Sequence, residues 1–326
     1  MPSVAGDSVA GMRITVLDDY QDVARTNTDW SAVTDDLDVV TEHIAGVDEL
    51  VVRLADSEVV VAMRERTPFP ATTLQRLPNL RLLVTTGGRN ASIDLAAARE
   101  CGITVCGTGA AGNAMPELVI GMLIALSRHF VEEDRAVRAG GWQHTIGPGL
   151  SGRTLGLVGL GRLGTAVATL ARAFGMQVIA WSPHLTAERA AEAGVRAVGK
   201  QEVFKTADFV SVHLVLSDST RGLIGADELR AMKPTAFFLN TSRGPIVDEA
   251  ALLDVLDRQA IAGAGLDVYD TEPLPADHPL RSTTNTLLLP HIGYVTTEAY
   301  EAFYAGAVED IVAFRAGRPL RQLEVP

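Results

Sequence analysis

The chain has 326 residues, of which 47% are hydrophobic and 21% are charged, a composition that supports buried cores and excludes a disordered or fibrous protein. Its length favours two domains over one. A formal net charge of -12 disfavours nucleic acid and anionic membranes as partners, so an anionic substrate requires a local cluster of hydrogen-bond donors.

The N-terminal residues lack a basic start followed by an apolar core, and the longest apolar stretch, residues 118–126, is too short to span a bilayer. We therefore expect a cytoplasmic protein that does not bind membranes. The two cysteines, Cys101 and Cys106, have no neighbouring His or Cys at metal-ligand spacing, so we expect structural roles and no metal. A disulfide or a metal site is the alternative.

The first third of the chain has the pattern of a parallel α/β unit. Short buried strands are predicted at residues 13–17, 58–63 and 80–85, and a helix at residues 93–101. Residues 115–130 then form a helix that is apolar on nearly every face, which predicts burial on several sides, between domains or subunits. From this helix we expect a homodimer.

A second and clearer α/β series follows a glycine-rich loop. About six strands are predicted, at residues 154–158, 177–181, 209–214, 236–239, 263–267 and 286–289. A last helix at residues 298–314 is long enough to return to the first domain. The predicted fold class is therefore α/β with two domains. Residues 114–294 are predicted to form a Rossmann-type doubly wound parallel sheet, and residues 1–113 with 295–326 a smaller, discontinuous flavodoxin-like α/β domain.

The predicted strand at residues 154–158 runs directly into the turn Gly159-Leu160-Gly161-Arg162-Leu163-Gly164, which opens a helix. In this strand–turn–helix context the first glycine permits a tight turn, the second lets the backbone approach a pyrophosphate, and the third lets helix and strand pack closely. The helix N-terminus adds N–H donors and a partial positive charge. All six residues are predicted to bind the cofactor.

The next predicted strand is followed by Ser182, where NAD-binding proteins of this kind usually carry an acidic residue for the adenosine ribose. Ser182 could bond a ribose hydroxyl or a 2′-phosphate, and His184 could add charge when protonated. The cofactor is thus predicted to be NAD or NADP, with NAD the first choice.

Three further segments each follow a predicted strand of the second domain, and they contain Arg243, Glu272 and His291. In an open α/β sheet the carboxyl ends of the strands form the edge where ligands bind. With the strings Met232-Lys233-Pro234 and 240–248, these segments resemble the D-isomer-specific 2-hydroxyacid dehydrogenase family, over roughly residues 59–318. The resemblance implies that the three residues are catalytic.

The chemistry of this family needs such a set. Reduction of a 2-oxo acid delivers hydride to a carbonyl carbon while a general acid protonates the oxygen, and histidine suits this role near neutral pH. His291 is the predicted acid, and Glu272 would orient it. Arg243 would hold the substrate carboxylate with its fork of donors. Each residue taken alone could instead be a surface or loop residue.

The resemblance also implies roles for residues around this trio. Asp267 would bond the nicotinamide carboxamide, with a strand-end residue that bonds the backbone of the next loop as the alternative. Thr241 would approach the cofactor through its backbone, and Asn113 would line the nicotinamide. On the substrate side, exposed N–H groups at Gly88 and Arg89 would bind the substrate carboxylate. Arg64 corresponds to a family arginine near the cleft, with a surface role as the alternative.

The predicted function is therefore hydride transfer between NAD(P)H and a small 2-oxo acid, giving a D-2-hydroxy acid. If the protein is an enzyme, the identity of the substrate stays open and ranges from glyoxylate or hydroxypyruvate to bulkier 2-oxo acids. The alternative of another class is an NAD(H)-sensing corepressor with little turnover.

Overall fold

The computed structural model describes residues 12–34, 37–109, 112 and 114–325. The chain divides into two compact units, residues 1–112 with 296–326 and residues 113–295. These limits lie within one residue of the boundaries predicted from the sequence.

The first unit is built on a five-stranded sheet in the order β2-β1-β3-β4-β5, with every neighbouring pair parallel. This is the flavodoxin-like strand order, with helices in the crossovers. Its elements before the second unit are β1 (Ile14–Val16), α1 (Ala24–Asn27), β2 (Leu37–Val39), α2 (Val47–Leu54), β3 (Val59–Ala62), α3 (Ala71–Leu74), β4 (Leu82–Thr85), α4 (Leu95–Glu100) and β5 (Thr104–Gly107).

The second unit contains two helices followed by a seven-stranded parallel sheet in the order β12-β11-β10-β9-β6-β7-β8. The order reverses at β6, so the carboxyl end of β6 is the topological switch point at which such sheets bind ligands. Its elements are α5 (Ala114–Ser127), α6 (Phe130–Arg138), β6 (Thr154–Val158), α7 (Arg162–Ala173), β7 (Gln177–Trp181), α8 (Ala187–Glu192), β8 (Arg196–Ala197), α9 (Lys200–Thr206), β9 (Phe209–Val212), α10 (Ala226–Arg230), β10 (Phe237–Asn240), α11 (Glu249–Asp257), β11 (Gly263–Leu266) and β12 (Thr286–Leu288).

The central strands have buried residues throughout because helices cover both faces of the sheet. One core contains α5 residues Val119 and Leu123 with Leu155 of β6, and the other contains Val210 of β9 and Phe238 of β10. Helix α5 packs against α7 and against β10, β11 and β12, which accounts for its apolar character on several faces. The last helix, α12 (Thr297–Arg315), packs against α1 and β4 of the first unit.

The predicted strands of the second unit coincide with β6 and β7 and overlap the other four long ones. The prediction lacks β2, β5 and β8, which are short and carry polar or glycine residues, so their apolar signal is weak. Helix α7 begins at Arg162, inside the glycine turn, rather than after it. Cys101 and Cys106 are free thiols.

Among the described residues no single helix has the length and apolar character to cross a membrane. The consecutive helices α5 and α6 meet those criteria only when taken together, and they are bent by 60° at the break between them.

Candidate active site

The three predicted catalytic residues follow three consecutive strands of the second sheet. Arg243 follows β10, Glu272 follows β11 and His291 follows β12, and these strands are adjacent and parallel. Their carboxyl ends therefore lie along one edge of the sheet. The topology places the guanidinium, the carboxylate and the imidazole on that edge although the residues are far apart in sequence.

Glu272 and His291 form a direct pair. The Nδ1 atom of His291 lies 2.6 Å from Oε2 of Glu272, and the other carboxylate oxygen accepts a bond from the Tyr269 N–H at 2.9 Å. A carboxylate accepts only, so Nδ1 carries the proton of this bond and the ring orientation is fixed. Nε2 is then the nitrogen that can exchange a proton with a substrate.

The backbone of His291 has a φ of 54°, a left-handed conformation that is uncommon outside glycine. Asp267 stabilises this loop, because its two carboxylate oxygens accept the N–H groups of Ile292 and Gly293 at 2.8 and 2.9 Å. The side chain is fully buried, and this burial raises the pKa of Asp267. Asp267 thus positions the catalytic loop. Its contact with the nicotinamide carboxamide stays a prediction, for which each oxygen keeps a second lone pair.

The loop of Arg243 packs directly on the loop of Glu272. A Cβ atom at Gly244 would lie 2.1 Å from the carbonyl carbon of Tyr269, so only glycine fits there. The Arg243 carbonyl accepts a bond from the Asn240 side chain at 2.9 Å, and Arg243 donates to the Ser242 carbonyl at 2.7 Å. Backbone contact between these two loops therefore connects Arg243 to the Glu272–His291 pair.

The sequence prediction missed the contributions of Gly244 and Tyr269. The Tyr269 hydroxyl donates to the Leu289 carbonyl at 2.9 Å, just before the His291 loop, and its N–H holds Glu272. The available signal was the glycine directly after Arg243, but the sequence could not show which backbone approaches it. Two loops of the site are therefore held through one tyrosine.

The glycine turn has the geometry that a pyrophosphate needs. Gly159 has a φ of 110°, and a Cβ there would meet the His213 carbonyl oxygen at 2.5 Å. A Cβ at Gly164 would lie 2.3 Å from the Gly159 oxygen, so helix and strand approach closely there. At Gly161, by contrast, a Cβ would meet nothing within 4 Å, which leaves open space beside the start of α7. These residues fit a dinucleotide.

Two further predicted cofactor residues lie on the same sheet edge, and a third is outside the described part. Ser182 follows β7 and is half-buried, next to the glycine turn. Thr241 follows β10, and its buried Oγ1 has no hydrogen-bond partner among the described residues, an orphaned polar atom that suits a ligand contact. Asn113 lies outside the described residues.

The predicted substrate loop of the first unit follows β4. Gly88 and Arg89 are exposed, and a Cβ at Gly88 would meet nothing within 4 Å. Arg64 lies against this loop, because its Nη1 donates to the Thr86 carbonyl at 3.1 Å and would clash with any side chain at Gly87. Arg64, which follows β3, therefore packs against the loop after β4, and its role toward a substrate stays a prediction.

Asn90 stabilises the base of the same loop through three hydrogen bonds of its side chain. Its buried amide donates to the Arg64 carbonyl at 2.6 Å and to the Thr85 hydroxyl at 2.9 Å, and its oxygen accepts the Ser92 N–H. The loop thus presents its exposed residues, Gly88 and Arg89, from a rigid base.

The comparisons with known proteins agree with this geometry. Residues 120–293 match the family model described as "D-isomer specific 2-hydroxyacid dehydrogenase, NAD binding domain". The chain is similar to a glyoxylate reductase of Thermococcus litoralis, with 36% identity over 86% of this chain and 84% of the relative. It is also similar to a glycerate dehydrogenase of Methylorubrum extorquens, with 34% identity over 85% and 88%.

Among solved structures the chain resembles a phosphoglycerate oxidoreductase from Vibrio cholerae, with a TM-score of 0.90 and 37% identity over 94% of this chain and 99% of that one. It also matches about half the length of a D-3-phosphoglycerate dehydrogenase of Archaeoglobus fulgidus, with 35% identity over 84% of this chain and 52% of the relative.

Proposed function

The chain belongs to the D-isomer-specific 2-hydroxyacid dehydrogenase family and is an oxidoreductase that acts on CH–OH groups with a nicotinamide cofactor, and from that premise we propose that it reduces glyoxylate, hydroxypyruvate or similar small 2-oxo acids. The product is the corresponding 2-hydroxy acid, of D configuration where C2 is a stereocentre. The observation that carries this proposal is the 2.6 Å bond between Glu272 and His291 on the same sheet edge as Arg243.

A bound reduced nicotinamide supplies the hydride for the carbonyl carbon. Arg243 binds the substrate carboxylate and polarises the carbonyl oxygen. His291 gives its Nε2 proton to that oxygen, and the Glu272 carboxylate stabilises the imidazolium before the transfer. In the reverse direction the same imidazole removes the proton of the hydroxyl group.

The first unit contributes to substrate binding. The exposed N–H groups of Gly88 and Arg89 provide donors for the substrate carboxylate, which a protein of net charge -12 requires. Arg64 adds a positive charge beside the same loop. Arg89 is exposed on this loop and is our candidate for contact with the substituent on the substrate C2.

The direct test is a panel of 2-oxo acids incubated with the purified protein and NADH or NADPH, followed by the absorbance of the reduced cofactor. Turnover of hydroxypyruvate or glyoxylate supports the proposal. Tight cofactor binding without turnover of any acid would instead support a nucleotide-sensing corepressor, which none of the named relatives suggests.

We also propose a homodimer. Large apolar side chains are exposed on α6 and on the loop that follows it, with Phe130 53%, Trp142 74% and Ile146 100% exposed. Exposed large apolar residues are typical of protein interfaces, and packing against the same segment of a second copy would bury them. Light scattering at micromolar concentration should give a dimeric mass, and Trp142→Glu with Ile146→Glu should give a monomeric one. A monomeric mass for the unaltered protein would overturn the proposal.

A further inference from the structure

The carboxyl end of β7 lies directly beside the glycine turn. The Gly159 N–H donates to the Trp181 carbonyl at 2.7 Å, and the next residue is Ser182. In a doubly wound sheet this position faces the adenosine ribose of the dinucleotide, so the residue there distinguishes a ribose 2′-hydroxyl from a 2′-phosphate. A carboxylate at this position bonds the hydroxyl and repels the phosphate.

The glycine turn and the end of β7 themselves supply no such carboxylate. The sequence contains no Asp or Glu between Asp134 and Glu188, an interval that includes the whole glycine turn, α7 and β7. After β9, which lies on the other side of β6, the first acidic residue is Asp218. After β8, the neighbour of β7, the first acidic residue is Glu202, which is paired with Arg196 at 2.9 Å. The chain as a whole has 40 acidic and 28 basic residues, but every charged side chain between Asp134 and Glu188 is basic.

The groups that are present suit a phosphate. Within the described residues, the Ser182 hydroxyl and the Arg162 guanidinium have no hydrogen bond or ion pair. Arg162 is exposed and is the first residue of α7, so its side chain begins at the glycine turn. His184 is exposed two residues after Ser182. Burial lowers the pKa of His213, whose carbonyl lies against Gly159, to about 4, so this imidazole adds no positive charge at neutral pH.

We propose that this protein selects NADPH over NADH, with Ser182 and Arg162 binding the 2′-phosphate of the cofactor. The inference rests on the proposed function. It makes NADP, rather than NAD, the expected cofactor. A phosphate monoester carries about two negative charges and accepts strong bonds from a guanidinium and a hydroxyl. A 2′-hydroxyl finds no carboxylate acceptor here, so NADH loses the contact that normally favours it.

The test uses the full-length protein and measures binding rather than turnover. Isothermal titration calorimetry with NADPH, NADH, 2′,5′-ADP and 5′-AMP gives the effect of the 2′-phosphate on both the whole cofactor and its adenosine half. We expect each 2′-phosphorylated ligand to bind about tenfold or more tightly than its counterpart, with a preference that weakens as salt rises.

Ser182→Asp should abolish or reverse this preference, because it introduces the missing carboxylate. Gln177→Glu is the matched control, since it adds the same charge at the exposed opposite end of β7 and should leave the preference unchanged. Arg162→Ala should weaken binding of 2′,5′-ADP more than binding of 5′-AMP, which provides a second variant if Ser182→Asp does not fold.

Equal or tighter binding of NADH by the unaltered protein would overturn the inference. If that result came with turnover of a 2-oxo acid, the proposed function would stand without it. If neither dinucleotide bound, the proposed function itself would fail.

Discussion

The carboxyl edges of the two sheets are built differently. On the second sheet, the ends of β10, β11 and β12 carry charged side chains that are bonded into one another's loops, through Glu272 to His291 and through Asp267 to the His291 loop. On the first sheet, the ends of β3 and β4 carry a fixed loop base with exposed groups at Gly88 and Arg89. From this difference we propose that the second edge determines the chemistry and the first determines which acid is accepted.

The largest expected effect comes from His291→Ala. Loss of the general acid should lower kcat by about 10²- to 10⁴-fold. Dissociation constants for the dinucleotide should change little, because the glycine turn lies at different strand ends of the same sheet. Steady-state kinetics with parallel calorimetry would check both values. Near-normal turnover would show that the second edge does not carry the proton transfer.

A smaller loss is expected from Arg243→Lys, which keeps the positive charge but removes the planar fork of donors. A charge-assisted bidentate contact of this kind is worth about 10- to 100-fold, so kcat/KM should fall by that factor. The measurement is kcat/KM with hydroxypyruvate. If lysine supports full activity, Arg243 acts only as a point charge.

Glu272→Gln should reduce kcat by about tenfold, since the amide can orient the ring but no longer neutralises the imidazolium. Steady-state kinetics with hydroxypyruvate check this value. An unchanged kcat would contradict a role for the carboxylate charge.

The smallest effect should come from the first sheet. Arg89→Ala is expected to change KM several-fold and to change the order of preference within the 2-oxo acid panel, with kcat largely retained. Arg99→Ala, also on the first unit, is the control and should change neither. A large fall in kcat on every substrate for Arg89→Ala would contradict the division of roles between the two edges.

Much of the architecture could be predicted because its signals are local. The strands β6 and β7 are continuous apolar runs bounded by glycine or polar residues, and the predicted and observed limits coincide. The strands β2 and β5 are short, and β5 ends in glycine, so a local apolar pattern could not identify them. Their place in the sheet depends on pairing with β1 and β4.

The candidate site divides in the same way. Arg243, Glu272 and His291 could be found because each follows a recognisable strand and matches a family motif. The sequence alone could not show that Asp267 bonds the His291 loop or that Gly244 must be glycine, because both depend on which backbone approaches from a distant loop. Burial of Asp267 beneath two amides and contact of Gly244 with Tyr269 are tertiary properties.

The account's central claim is that this chain transfers hydride to C2 of a 2-oxo acid with His291 supplying the proton. The most direct measurement follows deuterium from C4 of the reduced cofactor into hydroxypyruvate, with chiral analysis of the product. The account predicts D-glycerate that carries the label at C2 with the unaltered protein, and almost none with His291→Ala. Formation of L-glycerate, or no transfer of label to any 2-oxo acid, would contradict it.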